Sequence, residues 1–206
     1  MGIYGDRILP RLMDRVMRNP EFGRIRARVA AGLRGDVLEV GFGSGLNVRY
    51  YPATITRVLA VEPAALGREL AQRRIDAGTV PVEFVGLDGQ SLPVPDESVD
   101  HVLTTWTLCT IPDVRRALTE VRRVLRPGGT LVFVEHGRSP EPRVSRWQDR
   151  LTPIQRRVAG GCHLNRPIAE LVGSSGLDLT GLTNYYVQSP KPFGYMYEGI
   201  ATKPAA

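Results

Sequence analysis

Acids and glycines stand at intervals that suit a nucleotide-sized ligand. The run Glu39-Val40-Gly41-Phe42-Gly43-Ser44-Gly45 is the strongest signal. Glycines at these three positions let a backbone turn tightly and approach a ligand closely. A helix following the loop would aim free N–H groups and a positive dipole end at an acceptor such as a carboxylate. The spacing is GxGxG, and Leu46 stands where a dinucleotide fingerprint has Gly or Ala, which argues against NAD or FAD. No GK(S/T) follows, so the loop is not a P-loop. Glu62, followed by Pro63, is spaced to accept two hydroxyl hydrogens from a ribose. Asp88-Gly89 supplies a third acid, suited to an adenine amino group. Any one of these acids could be a surface carboxylate. Three at successive strand ends point to one ligand site.

His136 is the candidate to accept a proton near neutral pH. Its bland alternative is to donate to a carbonyl and shape the pocket. Cys109 ends an apolar region and reads as a small buried hydrophobe. Cys162, within Gly160-Gly161-Cys162-His163, reads as the more exposed thiol. His163 either faces a pocket or caps a helix. Two cysteines make no disulfide framework, and no CxxC or His pair offers a zinc site, so no metal is expected. Trp106, Tyr185, Tyr186, Phe193 and Tyr195 form an aromatic group, half of which strand alternation sends to the core. The others, with Trp147, could line an apolar acceptor pocket. Tyr4 either closes over the ligand or lies on a frayed terminus.

Elements that position these residues follow from short apolar runs. Strands are expected at 36–40, 57–61, 82–85, 99–105 and 130–135, each an apolar run of the kind buried in a parallel sheet. Helices are expected from Pro20 to about Leu33, Ala64 to Ala77, Val114 to Leu125 and Arg143 to Ala159. Arg126-Pro127-Gly128-Gly129 reads as a break. Alternating β and α units imply an α/β fold, a doubly wound and mostly parallel sheet with helices on both faces. Segments 177–182 and 195–202 read as a terminal hairpin, so one of the two strands runs antiparallel. One domain, 1–206, divides into N-terminal helices (1–34), a ligand-binding core (35–136), a cap (137–176) and the hairpin (177–206). Segment 137–176 exceeds an ordinary connection of about 2–6 residues plus one helix. It is either a substrate cap or a packing helix.

Charge is unevenly spread over the 206 residues. Residues 1–35 hold eight Arg against three acids, and 138–166 hold seven Arg against two. Such segments suit anionic partners, including a membrane surface, or are simply solvated helix faces. Aromatic and basic residues do not interleave as a nucleic-acid groove needs, so nucleic acid is not the expected partner. No apolar run approaches the ~20 residues that span a bilayer. The opening residues lack a signal peptide's apolar core, and Asp6 breaks the myristoylation pattern. A cytoplasmic location, with peripheral membrane contact left open, is expected. No feature assigns an oligomeric state.

Asp36 to Gly45, Glu62, Gly86-Leu87-Asp88-Gly89-Gln90-Ser91-Leu92-Pro93 and Leu125-Arg126-Pro127-Gly128-Gly129 together resemble the motifs of class I S-adenosylmethionine-dependent methyltransferases. The resemblance covers about residues 35–135. It implies a seven-stranded Rossmann-like sheet, S-adenosyl-L-methionine as cofactor and S-adenosyl-L-homocysteine as product. It also implies that Glu39, Gly41, Gly43, Ser44, Gly45 and Asn47 line the methionine part. Glu62 and Pro63 would take the ribose, and Leu87, Asp88 and Gly89 the adenine. Thr105 and Trp106 would lie near the methionine moiety. Gly45-Leu46-Asn47, Tyr50-Tyr51-Pro52, Leu108-Cys109-Thr110, Glu135-His136 and Gly161-Cys162-His163-Leu164-Asn165-Arg166 further resemble the methyltransferase-like protein group, some of whose members methylate alkyl thiols. Those members carry an N-terminal membrane helix, where this chain has an Arg-rich amphipathic segment. The implied function is methylation of a small, fairly apolar acceptor, with a thiol preferred. The alternative is O-, N- or C-methylation of a quinone, phenol or phospholipid head group.

Overall fold

Short runs of Val, Leu and Ile, too short for helices and bounded by glycine or proline, pair into one sheet. The computed structural model describes residues 4–205, the side chains of Tyr4 and Asp6 excepted. The strands are β1 (Gly35–Val40), β2 (Ile55–Val61), β3 (Val82–Gly86), β4 (Val99–Thr105), β5 (Leu125–His136), β6 (Asp178–Tyr186) and β7 (Tyr195–Thr202). Their order is β3-β2-β1-β4-β5-β7-β6. The pairings among β1 to β5 are parallel, and β7 runs antiparallel to both β5 and β6. In register, Val40 lies beside Val61 and Thr104. The strand order reverses between β1 and β4, the switch point at which doubly wound sheets leave a crevice.

Alternation along the strands sends side chains to two core faces. Leu38, Val102, Leu131 and Phe133 pack against Leu118 and Val121 of α4 (Val114–Val124). Val37, Val58, Leu103 and Val134 pack with Ile25 and Val29 of α2 (Pro20–Ala30). Each such side chain fully buried contributes about 1.5–3 kcal/mol. Asn19 caps α2 by accepting from Glu21 N at 2.8 Å, with Pro20 at the first helical position. Asp113 caps α4 through Arg116 N at 3.0 Å. The remaining α-helices are α1 (Leu9–Val16), α3 (Ala65–Ala77), α5 (Pro142–Val158), α6 (Ile168–Gly173) and α7 (Lys191–Gly194).

Four local features depart from the sequence reading. No α-helix follows the glycine loop; only a 3-10 turn, Val48–Tyr50, intervenes before β2, so helix-dipole arguments do not apply there. β5 begins at Leu125 rather than Thr130. Gly128 N donates to Lys203 O and Lys203 N to Gly129 O, both at 2.9 Å, which holds the Pro-Gly-Gly segment against the end of β7. α6 was not anticipated; it buries Ile168, Leu171 and Val172 in too short a run to show helical periodicity. β6 continues to Tyr186, beyond the expected Leu182, and α7 fills the turn into β7.

Candidate active site

The glycine loop leaves the carboxyl end of β1 at the switch point. Gly41 has φ +80°, and a Cβ there would collide with the Thr107 side chain. Gly43, at φ +58°, would meet nothing within 4 Å. The loop is therefore pressed against the segment after β4 on one side and open on the other. Glu62, at the end of β2, pins it: Oε2 accepts from Gly43 N at 2.6 Å and Oε1 from Ala64 N at 2.8 Å. Burial raises the Glu62 carboxyl pKa while the two amides oppose it. Each carboxylate oxygen keeps a further acceptor position. Pro63 is exposed next to it. Asp88 stands exposed after β3, its Oδ1 accepting from Gln90 Nε2 at 3.0 Å and Gln90 N at 2.8 Å, which holds its pKa below the ordinary range. Leu87 is exposed beside it, with Gly89 partly buried.

Behind the loop lies a buried polar network. Glu39 accepts from Asn47 Nδ2 at 2.8 Å and from the Tyr51 hydroxyl. Asn47 Nδ2 also donates to Thr105 Oγ1 at 3.1 Å. Arg26 Nη1 donates to Asn47 Oδ1 at 2.7 Å and to Thr105 Oγ1 at 3.0 Å. Burial pushes Glu39 up to about 7 and Arg26 down to about 10. The Arg26 guanidinium lies 4.8 Å from the centroid of the Trp106 ring. Trp106 has φ +54°, a left-handed backbone that costs a bulky residue about 1–3 kcal/mol. Its N–H bond to Val134 O at 2.8 Å and its contact with Phe22 at 5.1 Å hold it there. Trp106 Nε1 and Arg26 Nε are buried donors without a hydrogen-bond partner. Two orphaned donors, an open glycine turn and the spare acceptor capacity of Glu62 fit a polar ligand such as S-adenosylmethionine at this edge.

Sequence reasoning missed three members of this region. Arg26 and Tyr51 join the Glu39 network. Asp14 of α1 accepts from Ser44 Oγ at 2.6 Å and pairs with Arg74 at 2.8 Å, setting α1 against the glycine loop. The signal for Arg26 was present: it shares a helix stripe with Phe22, Ile25 and Val29, where a charged residue needs a buried partner.

The neighbouring edge is formed by the ends of β4 and β5. The buried Glu135 carboxylate accepts from Thr107 N at 2.9 Å and Cys109 N at 3.3 Å. Arg166 donates to the carbonyls of Leu108 and, at 2.7 Å, Ile111. An anion thus holds the loop's N–H groups and a cation its carbonyls. His163 N donates to Cys109 O at 2.9 Å, and the His163 ring lies on the same carbonyl. His136 is buried, its Nε2 3.1 Å from Cys162 Sγ, which lies 3.8 Å from Cys109 Sγ. Cys162 is buried, contrary to the sequence reading: Gly160 and Gly161, at φ +60° and +88°, turn the chain under the end of α5. The Cys109 hydrogen bond lowers the Cys162 thiol pKa, and Cys109 is raised in turn. Burial opposes protonation of His136, but its contacts with Cys162 outweigh that and raise its pKa.

The remaining expected residues stand apart. Trp147 is exposed on α5 with Arg150 over its ring at 5.6 Å. Tyr185 donates to Glu198 at 2.6 Å and accepts from Arg28 at 3.2 Å. Tyr186 bonds Ser139 Oγ at 2.7 Å and packs edge-on to Tyr195. The Tyr4 side chain lies outside the described residues. A groove of about 690 Å³, lined by Asp100, Arg126, Leu182 and Ile200 among others, lies toward the amino ends of β4 and β5. Ligands of wound sheets bind at the opposite, carboxyl edge, so the groove is not the candidate site.

Residues 38–133 match the family profile described as a methyltransferase domain. The thiol S-methyltransferase TMT1B of Rattus norvegicus is 34% identical over 152 residues, covering 70% of this chain and 61% of that protein. A phosphatidylethanolamine N-methyltransferase of Cereibacter sphaeroides is 34% identical over 126 residues, covering 56% of this chain and 61% of the relative. The chain thus spans 61% of the length of each of these two relatives. The crystal structure of a proposed methyltransferase from Bacillus halodurans superposes with a TM-score of 0.75 at 17% identity, covering 90% of this chain and all of that one. At that identity the superposition speaks for fold alone.

Proposed function

We propose that this chain, whose residues 38–133 match a methyltransferase-domain profile, is a class I S-adenosylmethionine-dependent methyltransferase that methylates a small, fairly apolar thiol. One observation carries the reading. Gly41 leaves no room for a side chain against Thr107, so the cofactor loop and the loop bearing Cys109 share one surface. The similarity to a thiol S-methyltransferase supports sulfur as the acceptor atom.

In this reading Gly41, Gly43, Ser44 and Gly45 cradle the methionine part, with Glu39, Asn47 and Thr105 setting the loop from behind. Glu62 and Pro63 take the ribose, Leu87, Asp88 and Gly89 the adenine, and Trp106 borders the reacting centre. S-adenosylmethionine bound there supplies an electrophilic methyl on a sulfonium. The chain's own work is to hold the acceptor in line, exclude water and let a proton leave. Glu135 and Arg166 fix the acceptor loop from both sides. Residues 137–176, with α5, form the cap. A thiol of pKa about 8.5 needs little activation, since its thiolate is the nucleophile. His136, held by Cys162, is the group at this edge that can direct the proton. Calorimetric titration with S-adenosylhomocysteine tests the cofactor assignment. Tight binding weakened by Glu62→Ala supports it, and no binding by the folded protein removes it.

A second reading is methylation of a quinone, phenol or phospholipid head group at a membrane surface. Ile8, Leu12 and Val16 are exposed at four-residue spacing between Arg7, Arg11, Arg15 and Arg18. Trp147 and Ile154 are exposed among the arginines of α5. Apolar stripes edged with arginine suit an anionic interface. Among the described residues no helix is long and apolar enough to cross a membrane. Flotation with anionic vesicles at low salt favours this reading if the protein rises with them, and counts against it if the protein stays behind. The proposed compartment for the thiol reading is the cytoplasm.

A further inference from the structure

The geometry points to Cys109, His136 and Cys162 as a binding site for one zinc-type divalent cation, with the fourth coordination position left for the sulfur of an acceptor. The ligands come from three separate elements: the loop after β4, the last residue of β5 and the turn after α5. One ligand atom from each lies within 4.8 Å of the others. The Sγ–Sγ separation of 3.8 Å equals the edge of a tetrahedron built on two Zn–S bonds of about 2.3 Å, which is about 3.8 Å. The 3.1 Å between Cys162 Sγ and His136 Nε2 is shorter than the corresponding edge of about 3.5 Å, so the ring would back away by a few tenths of an ångström. The three residues are 2%, 6% and 7% exposed. Two thiols and an imidazole converge there, all three buried. A soft donor set of this kind suits zinc rather than magnesium or calcium.

The open fourth position follows from the surroundings. Among the described residues, no further His, Cys, Asp or Glu joins the group. Glu135, the adjacent acid, already has its oxygens on the amides of Thr107 and Cys109. Three protein ligands with one position free is the arrangement of catalytic rather than structural zinc sites. The loop bearing Cys109 also carries Thr107, which touches the glycine turn at Gly41, so the site borders the cofactor edge. A thiol entering that position binds as the thiolate and releases its S–H proton to solvent; no electrons change hands. His136 then serves as a ligand, and the cation replaces a base as the source of thiol acidity. The metal site stands on its own geometry. The role of its fourth position rests on the proposed thiol acceptor.

The experiment uses the full chain, purified under reducing conditions, loaded with zinc and dialysed, with metal then counted by mass spectrometry. Roughly one zinc per chain is expected. Cobalt(II) loading should give a thiolate-to-cobalt charge-transfer band that shifts when an alkyl thiol is added. Cys109→Ser and Cys162→Ser should each lose stoichiometric metal, and His136→Gln should weaken it at least tenfold. Should those variants fail to fold, thiol alkylation of the wild type decides: zinc should protect both cysteines and a chelator should expose them. Absence of metal with both thiols unprotected overturns the site. So does metal retained after both cysteine substitutions, or a Cys109–Cys162 disulfide in protein isolated without reductant, which would make the pair a redox couple. Undiminished thiol methylation by metal-free protein removes the fourth-position role and leaves the thiol reading standing. A cobalt spectrum that responds to thiol, with no methyl transfer to it, does the reverse.

Discussion

The Arg26 guanidinium donates to Asn47 Oδ1 at 2.7 Å and so ties helix α2 to the glycine loop. The same nitrogen reaches Thr105 at the end of β4, and the guanidinium faces the Trp106 ring. Removing it leaves the buried Asn47 Oδ1 unpaired, takes one of two donors from Thr105 Oγ1 and removes a positive charge from beside Glu39. Arg26→Ala should cost about 3–5 kcal/mol by denaturant unfolding, the scale for breaking a buried charged contact. Lysine should not restore it, because an ammonium cannot stack on Trp106 while reaching both oxygens. A loss below about 1 kcal/mol, the scale of an exposed ion pair, would show that the network is not structural.

Glu39 predicts how stability varies with pH. Burial raises its carboxyl from 4.5 to about 7. A carboxyl shifted upward favours the folded state while protonated. Its contribution is complete below pH 4.5 and is lost as pH rises through about 7. The shift corresponds to about 3 kcal/mol at most. Glu39→Gln should therefore lose less stability than the wild type between pH 5 and pH 8. Parallel urea-unfolding profiles for the two proteins would contradict this.

Two neighbouring glycines should fail differently. Gly41→Ala drives a Cβ into Thr107 at a left-handed φ, so the loss should appear as instability of about 2 kcal/mol or more. Gly43→Ala meets open space and should cost only the backbone penalty, about 1–2 kcal/mol. Its Cβ stands on the open side proposed for the cofactor, so S-adenosylhomocysteine affinity should fall far more than stability. Thermal melts paired with calorimetry separate the two. Equal losses of binding and stability in both variants would refute the assigned open side.

The acids should rank. Glu62 is buried, with one oxygen on Gly43 N of the loop and the other on Ala64 N, whereas Asp88 is exposed. Glu62→Ala should weaken S-adenosylhomocysteine binding by about 10–100-fold, the worth of a charge-assisted hydrogen bond. Asp88→Ala should weaken it by only a few fold, because water competes for an exposed carboxylate. The opposite order would place the cofactor's ribose elsewhere.

Much of the architecture was legible because each early strand is a continuous apolar run. β4 occupies Val99–Thr105 as its residues imply, and β1 to β3 differ by only one or two residues at their ends. The terminal hairpin was legible from its turn, but only pairing could assign the antiparallel strand to β7. The start of β5 was hidden because Pro127-Gly128-Gly129 punctuates like a loop, while its bonds to Lys203 are long-range. Within the candidate site, Glu39, Glu62 and the glycines stand out by their spacing in the sequence. The proximity of Cys109, His136 and Cys162 does not, since three elements meeting in space leave no periodic trace.

Thiol methylation is tested by incubating the protein with S-adenosylmethionine and a small alkyl thiol and following the products by mass spectrometry. S-methylated thiol and S-adenosylhomocysteine are expected in equal amounts, both dependent on thiol and both strongly reduced by Glu62→Ala. Protein that binds S-adenosylhomocysteine yet forms no S-methyl product across a series of alkyl thiols would contradict the thiol acceptor and turn the search to quinones and lipids.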